Sequence, residues 1–316
     1  MDRRSFVAAL AAMAGSVHAQ AAYPSRPITL IAPSVPGGST DVICRALAES
    51  VSRRLGVPVT VENKAGAGGA LGGMALAGAK PDGYLVALLP LAVFRIALMQ
   101  KTSFDPLRDI AFVAGLGGFV FGIAVPAGSP WRTLADLLAD ARKHPGSITY
   151  GHAGVGTTPH LAVEELALKT GVELTAVPYK GSNEALLALL SGQVQMMSGT
   201  TEFVPHVQAG KLRVLATLGA KRAAAFPDVP TLRESGVDIV NESPFGIGAP
   251  KGTDPAIVKT LHDAFRAALD DALVQAAFAR FQMPILPMST AEYDAFARRT
   301  VKAERVTLGR LNLLQR

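Results

Sequence analysis

Ile28-Thr29-Leu30-Ile31-Ala32, then the loop Pro33-Ser34-Val35-Pro36-Gly37-Gly38-Ser39-Thr40, then a helical pattern from Asp41 with Val42, Ile43, Leu47 and Val51 apolar: this stretch decides the fold. A β-rich run, a Gly/Pro loop and an amphipathic helix make half of a βαβ unit. The pattern recurs. Val57 to Glu62 reads as a strand, followed by the loop Asn63-Lys64-Ala65-Gly66-Ala67-Gly68-Gly69-Ala70, and Tyr84 to Leu89 reads as a third strand. Ile148 to Gly151 runs into Gly154-Val155-Gly156-Thr157-Thr158-Pro159-His160, with a helix beyond. Leu174 to Pro178, Gln193 to Met197 and Leu212 to Leu218 read as further strands. Strands alternating with helices predict an α/β fold with mostly parallel sheets and flanking helices.

A chain of 316 residues, 49% of them apolar, exceeds one small core and suits two lobes. Two segments echo each other: Gly122-Ile123-Ala124-Val125-Pro126-Ala127-Gly128-Ser129-Pro130 and Gly246-Ile247-Gly248-Ala249-Pro250-Lys251-Gly252-Thr253-Asp254-Pro255. Each gives a strand, a Pro-x-Gly turn and a polar N-cap before a helix-starting Pro. We read them as the places near which the chain crosses between lobes. Residues 23–124 and 246–316 then form lobe one, and residues 125–245 form lobe two. Residues 1–22 read as an export signal: Arg3 and Arg4, an Ala-rich run to Val17, and small residues around Ala19 and Ala21. The paired arginines fit a twin-arginine signal as well as a general secretory one.

Composition narrows the function. The net charge is +6, but Lys and Arg are scattered without an aromatic-studded basic stripe, which argues against nucleic acid. The single cysteine, Cys44, permits no intrachain disulfide and no Cys-rich metal site, and it reads as a small buried hydrophobe. No cofactor or metal is expected. Neither a phosphate-loop signature nor a complete dinucleotide fingerprint is present, and Gly-x-Ser-x-Gly and His-Glu-x-x-His are absent.

What remains is a set of Gly-rich strand-to-helix loops. A helix start presents unpaired N–H groups and partial positive charge, glycine lets a ligand approach closely, and Ser or Thr hydroxyls add donors. Such a loop suits a carboxylate or phosphate. Val35, Pro36, Gly37, Gly38, Ser39, Thr40 and Asp41 form one candidate site, and Gly154, Val155, Gly156, Thr157 and Thr158 the other. Asp41 reads as a clasp for loop amides. His160 is a cap or a direct ligand contact. Lys180 and Glu202 are solvated loop charges or cleft residues. Arg95, inside the apolar run Leu91-Ala92-Val93-Phe94, needs an anion partner, which is a protein carboxylate or the ligand.

The same residues carry a family resemblance. Pro27 to Pro33 with Pro36-Gly37-Gly38-Ser39-Thr40-Asp41, then Pro81-Asp82-Gly83-Tyr84, Tyr150 through Thr157 and Val177-Pro178-Tyr179-Lys180-Gly181, follow in order. Gly192-Gln193-Val194, Lys211 to Ala216 and Phe226-Pro227-Asp228-Val229-Pro230-Thr231 continue it. This series resembles the Bug-type receptors of tripartite tricarboxylate transporters. The resemblance implies a two-lobed periplasmic binding protein fold, type II-like, that closes on a small carboxylate. It further implies a monomeric, periplasmic receptor serving two integral-membrane transport subunits. Leu91 to Arg95 and Ser198-Gly199-Thr200-Thr201 depart from the family pattern, and Thr200 joins the candidate site on that ground. Two rival readings are a sensory receptor for a signalling partner and an exported hydrolase or transferase.

Overall fold

The computed structural model describes residues 23–315; the expected export signal lies outside the described residues. Two sheets organise the chain. In the first, β1 (Ile28–Ala32) pairs in parallel with β2 (Val59–Asn63) and β3 (Leu85–Leu89). β4 (Ile110–Phe119) is an edge-side neighbour of β10 (Ser243–Pro250), and β10 lies antiparallel between β3 and β4. β11 (Ile285–Met288) closes that edge antiparallel to β4. The second sheet orders β7 (Thr175–Pro178), β6 (Thr149–His152), β8 (Met196–Gly199), β5 (Gly122–Pro126) and β9 (Leu212–Thr217). β6 is parallel to β7 and β8, whereas β5 is antiparallel to β8 and β9.

The α/β reading holds, but the sheets are mixed rather than mostly parallel. Each keeps a parallel block of three strands joined by helical crossovers, and to each block is added a strand arriving from the other sheet. Such a strand is not tied to a right-handed βαβ crossover, so it is free to enter antiparallel. The chain leaves the first sheet after Phe119 and is in the second by Gly122, returning by Ser243. Gly122 to Ala124 therefore lie in the second sheet and Ser243 to Phe245 in the first, a few residues from the expected positions. Phe119 packs on the main core of both sheets, and its ring lies 5.9 Å from Phe121 and 4.8 Å from Phe245.

The strands read as continuous apolar runs because helices cover both faces. Leu30, Val86, Leu88 and Ile247 face one core beneath the Ser39–Leu55 and Pro255–Ala268 helices, while Ile31, Ala87 and Leu89 face another that includes Phe94 and Tyr293. The second sheet divides its residues in the same way, with Ile123 and Tyr150 in one core and Ala124 and Met197 in the other. One satellite cluster joins the halves: Leu98 from the first, Leu161 from the second, and Leu308 from the C-terminal Thr290–Arg310 helix. No described helix is long and apolar enough to cross a membrane.

Candidate functional site

The C-terminal ends of the parallel strands point at one cleft, the usual ligand position in open α/β sheets. It is an open cleft of about 980 Å³, a volume that includes solvent at its mouth. β1 delivers Ser34, Val35, Gly38, Ser39 and Thr40, β3 delivers Pro90 to Ala92, and the loop after β2 delivers Gly66, Gly68 and Gly69. From the second sheet, β6 leads to Thr157 and Thr158, β7 to Lys180 through Glu184, and β8 to Thr200 and Glu202. Phe119 and Phe121 line it where the chain crosses between sheets.

Four α-helices begin on this cleft without a side-chain cap; the Ala92–Met99 helix satisfies its Val93 and Phe94 N–H groups from the Pro90 and Leu91 carbonyls, whereas those at Ser39, Thr158 and Ser182 have no such local partner. Gly38 and Gly181 have no side chain to offer. Thr157 has one, but its hydroxyl donates to the Gly154 carbonyl at 2.7 Å instead. The first-turn N–H groups of the Ser39–Leu55, Thr158–Thr170 and Ser182–Leu190 helices are left for a partner outside the chain. With the aligned peptide dipoles they favour an anion.

The halves approach closely around the cleft. Gly68 has φ +64°, and a Cβ there would lie 3.1 Å from the Thr157 methyl and 3.3 Å from Ala92 Cβ. The loop after β2 therefore meets the Thr158 helix start only with glycine at this position. Ser39 Oγ donates across the cleft to Glu202 Oε1 at 2.7 Å, and the Thr201 hydroxyl donates to the Phe281 carbonyl.

Arg95 ties the halves from behind. Its Nη1 donates to the Gly156 carbonyl at 3.1 Å and to Thr158 Oγ1 at 2.9 Å, while its Nη2 donates to Glu304 Oε1 at 2.7 Å. Arg95 is 3% exposed and Glu304 12%, so the pair is nearly dry. Of the two partners open in the sequence, the protein carboxylate is the one observed. Arg95 does not line the cleft; it holds the Thr158 helix start in place.

The other expected residues separate into two groups. Val35, Gly38, Ser39, Thr40, Thr157, Thr158, Lys180 and Thr200 line the cleft. Pro36 and Gly37 are exposed on the outer side of their loop. Asp41 turns inward: Gly37 N–H donates to it at 2.8 Å, and Arg45 and Asn63 also bond it. Burial alone would raise the Asp41 carboxyl, but the Arg45, Gly37 and Asn63 hydrogen bonds outweigh it and hold it below the usual range. Gly154 and Val155 border a neighbouring cavity near the C-terminus, together with Met99 and Leu314. Gly156 donates its N–H to His160 Nδ1 at 3.3 Å. The His160 ring lies 4.5 Å from that of His152, tilted by 36°, and burial, then the charge of Arg95, lowers it to about 4. It is a neutral structural ring that braces the loop.

Gly181 to Glu184, Ser34 and the Pro90 to Ala92 corner stand on the cleft without being among the expected site residues, and Glu202, left open in the sequence between a solvated loop charge and a cleft residue, lines it too. Gly181-Ser182 carried a usable signal, since it repeats the Gly38-Ser39 pattern of a glycine before a polar helix start. Pro90 itself carried none, because an apolar turn after a strand has no chemistry to mark it; Leu91 and Ala92 were marked only by the departure of Leu91 to Arg95 from the family pattern.

The frame is that of a two-lobed periplasmic solute receptor. The periplasmic binding protein BugD superposes with a TM-score of 0.86 at 29% identity, over 93% of this chain and all of that one. Comparison at the level of sequence is narrower: the chain belongs to the tripartite tricarboxylate transporter family receptors, matching over residues 43–313. It is 45% identical to the UPF0065 protein in the gbd 5′ region of Cupriavidus necator, over 99% of both chains. It is 38% identical to BugT of Bordetella pertussis, over 81% of this chain and 80% of that one. MatC of Rhodopseudomonas palustris, solved with bound malate, matches with a TM-score of 0.83 at 27% identity, over 90% of this chain and all of that one. An R. palustris protein solved with adipate matches with 0.84 at 29%, over 92% and 98%. These are binding proteins, not enzymes.

Proposed function

We propose that this chain captures a small carboxylate between its two halves in the periplasm and delivers it to the two integral-membrane subunits of a tripartite transporter. Residues 1–22 serve as its export signal, and residues 23–124 with 246–316, and 125–245, approximate the lobes that close on the ligand. One observation carries the reading: uncapped helix starts from both sheets open onto a single cleft. A carboxylate seated there accepts hydrogen bonds from the free N–H groups at Ser39 and Thr40 and from the Thr158 hydroxyl, with Lys180 adding positive charge. Because the donors come from both halves, the anion favours the closed arrangement by its differential affinity for it. The malate and adipate held by the two R. palustris proteins support a small organic acid as the solute.

The test is thermal denaturation of the mature chain against a panel of mono- and dicarboxylates. A ligand at a hundred times its dissociation constant adds about 2.7 kcal/mol, which reads as a clear rise in melting temperature. A panel in which no organic acid moves the transition overturns the proposal.

A further inference from the structure

We infer that Glu202 sets ligand selectivity: the site takes an organic acid that also carries a hydrogen-bond donor, a hydroxyl or an ammonium, and disfavours a plain dicarboxylate of equal length. This rests on the carboxylate-receptor reading above and deepens it. Glu202 lies in the Thr201–Phe203 turn after β8 and lines the cleft. One carboxyl oxygen is committed, accepting from Ser39 Oγ at 2.7 Å. The other, Oε2, is buried and has no partner among the described residues. Beside it on the cleft wall, Thr200 Oγ1 and Ser34 Oγ are likewise buried and unpartnered.

A buried carboxylate oxygen without a donor is costly, and among the described residues no hydrogen bond reaches Oε2. The missing donor is therefore the ligand's. The helix starts and Lys180 provide for an anionic end, and Glu202 provides for the opposite chemistry within the same cleft. A second carboxylate brought against Oε2 meets like charge or requires a proton to be taken up. A hydroxyl or ammonium meets neither penalty. Burial pushes the Glu202 carboxyl up from its ordinary value, and a ligand donor at Oε2 opposes that by stabilising the ionised form. The other titratable groups around it are Lys180 and Glu184 on the cleft wall, His206 on the following Val204–Gln208 helix, and Asp41 in the first turn of the Ser39 helix. Asp41 is occupied by Gly37, Arg45 and Asn63.

Four acids of one chain length separate the possibilities: valerate, glutarate, δ-hydroxyvalerate and δ-aminovalerate, with their four-carbon counterparts as a second series. Dissociation constants are measured by calorimetry for the wild-type chain and for Glu202→Gln, whose unliganded melting curve confirms folding. A donor paired with a charged acceptor predicts at least about tenfold tighter binding of a donor-bearing acid than of the dicarboxylate. The hydroxy and amino arms show which donor fits. In Glu202→Gln that preference shrinks toward parity. In the wild type, affinity for the preferred acid rises with pH through the Glu202 titration, and it does not in the variant. Dicarboxylates preferred, or affinity rising as pH falls, overturns the inference and leaves the receptor reading standing. Valerate bound as well as the donor-bearing acids, or a preference unchanged in Glu202→Gln, does the same. If no acid of either series or of the wider carboxylate panel binds, the receptor reading fails, and this inference with it.

Discussion

Three helices that begin on the cleft and five that begin elsewhere are finished in opposite ways. At those five outer starts side chains of the chain satisfy the first-turn donors. Asp105, Asp254 and Asp271 accept from first-turn amides, and Thr133 and Ser289 close reciprocal boxes with Asp136 and Glu292. At the cleft the corresponding positions are Gly38, Thr157 and Gly181, and no side chain closes the turn. The donors are identical peptide N–H groups in both regions. Where a cap is present they contribute to stability, typically about 1 kcal/mol per cap; where it is missing they are held in reserve for a ligand.

The strongest challenge to this contrast removes what supports an open start from behind. Arg95→Met leaves Glu304 buried without its cation and releases Thr158 and Gly156. We expect a loss of about 3–5 kcal/mol in denaturant unfolding. The double variant Arg95→Met, Glu304→Leu recovers most of that stability but not ligand affinity, because the Thr158 turn remains unheld. Restored affinity would show that the latch is packing only.

Converting an open start into a capped one should trade affinity for stability. Gly38 has φ −69° and ψ 163°, angles open to any residue, although a Cβ there would lie a tight 3.3 Å from the Val35 carbonyl oxygen. In Gly38→Asp the new carboxylate occupies the first-turn donors and repels an anion. Carboxylate binding should weaken about a hundredfold, the equivalent of two lost charge-assisted bonds, while the unliganded melting temperature holds or rises.

The buried histidine pair behind the Thr158 start gives a pH signature. Burial, then the neighbouring ring, lowers His152 to about 4; burial, then Arg95, lowers His160 to about 4. The unfolded chain thus binds more protons between about pH 6.5 and 4. Stability from the neutral rings is present above the unfolded value and is lost as pH falls through that window. A loss on the order of a few kcal/mol is expected by the low end of that window, since both rings are buried, checked by the difference between wild type and His152→Asn, His160→Asn across that range.

The smallest effect belongs to the outer starts. Ser289→Ala or Thr133→Ala should lower stability by about 1 kcal/mol and leave ligand affinity unchanged. An affinity change from either would dissolve the distinction between the two kinds of helix start.

Much of this was legible in residue order. The Gly37-Gly38-Ser39-Thr40 loop and the Thr157-Thr158 start were readable because a strand, a glycine turn and a polar helix entry recur with a physical purpose. Asp41 was readable as a clasp, because a carboxylate in a first turn reaches loop amides. Other positions could not be separated by pattern. Gly154 and Gly156 share a loop with Thr157 yet do not line the cleft, and both take positive φ (+117° and +79°). Arg95 announced only that it needed an anion, and Glu304, more than two hundred residues away, supplies it.

The sequence by itself determined the alternation of strands and helices and the glycine-opened helix entries. These are local: they follow from periodicity, from the absence of a capping side chain and from the backbone freedom of glycine. Only the tertiary structure decided which entries face each other, that the crossing strands run antiparallel, that Glu202 meets Ser39, and that Arg95 pairs with Glu304 and the Thr158 helix start. Those outcomes depend on contacts between residues far apart in the chain, and hydrophobic packing of two separate sheets, which no local pattern records, sets their distances.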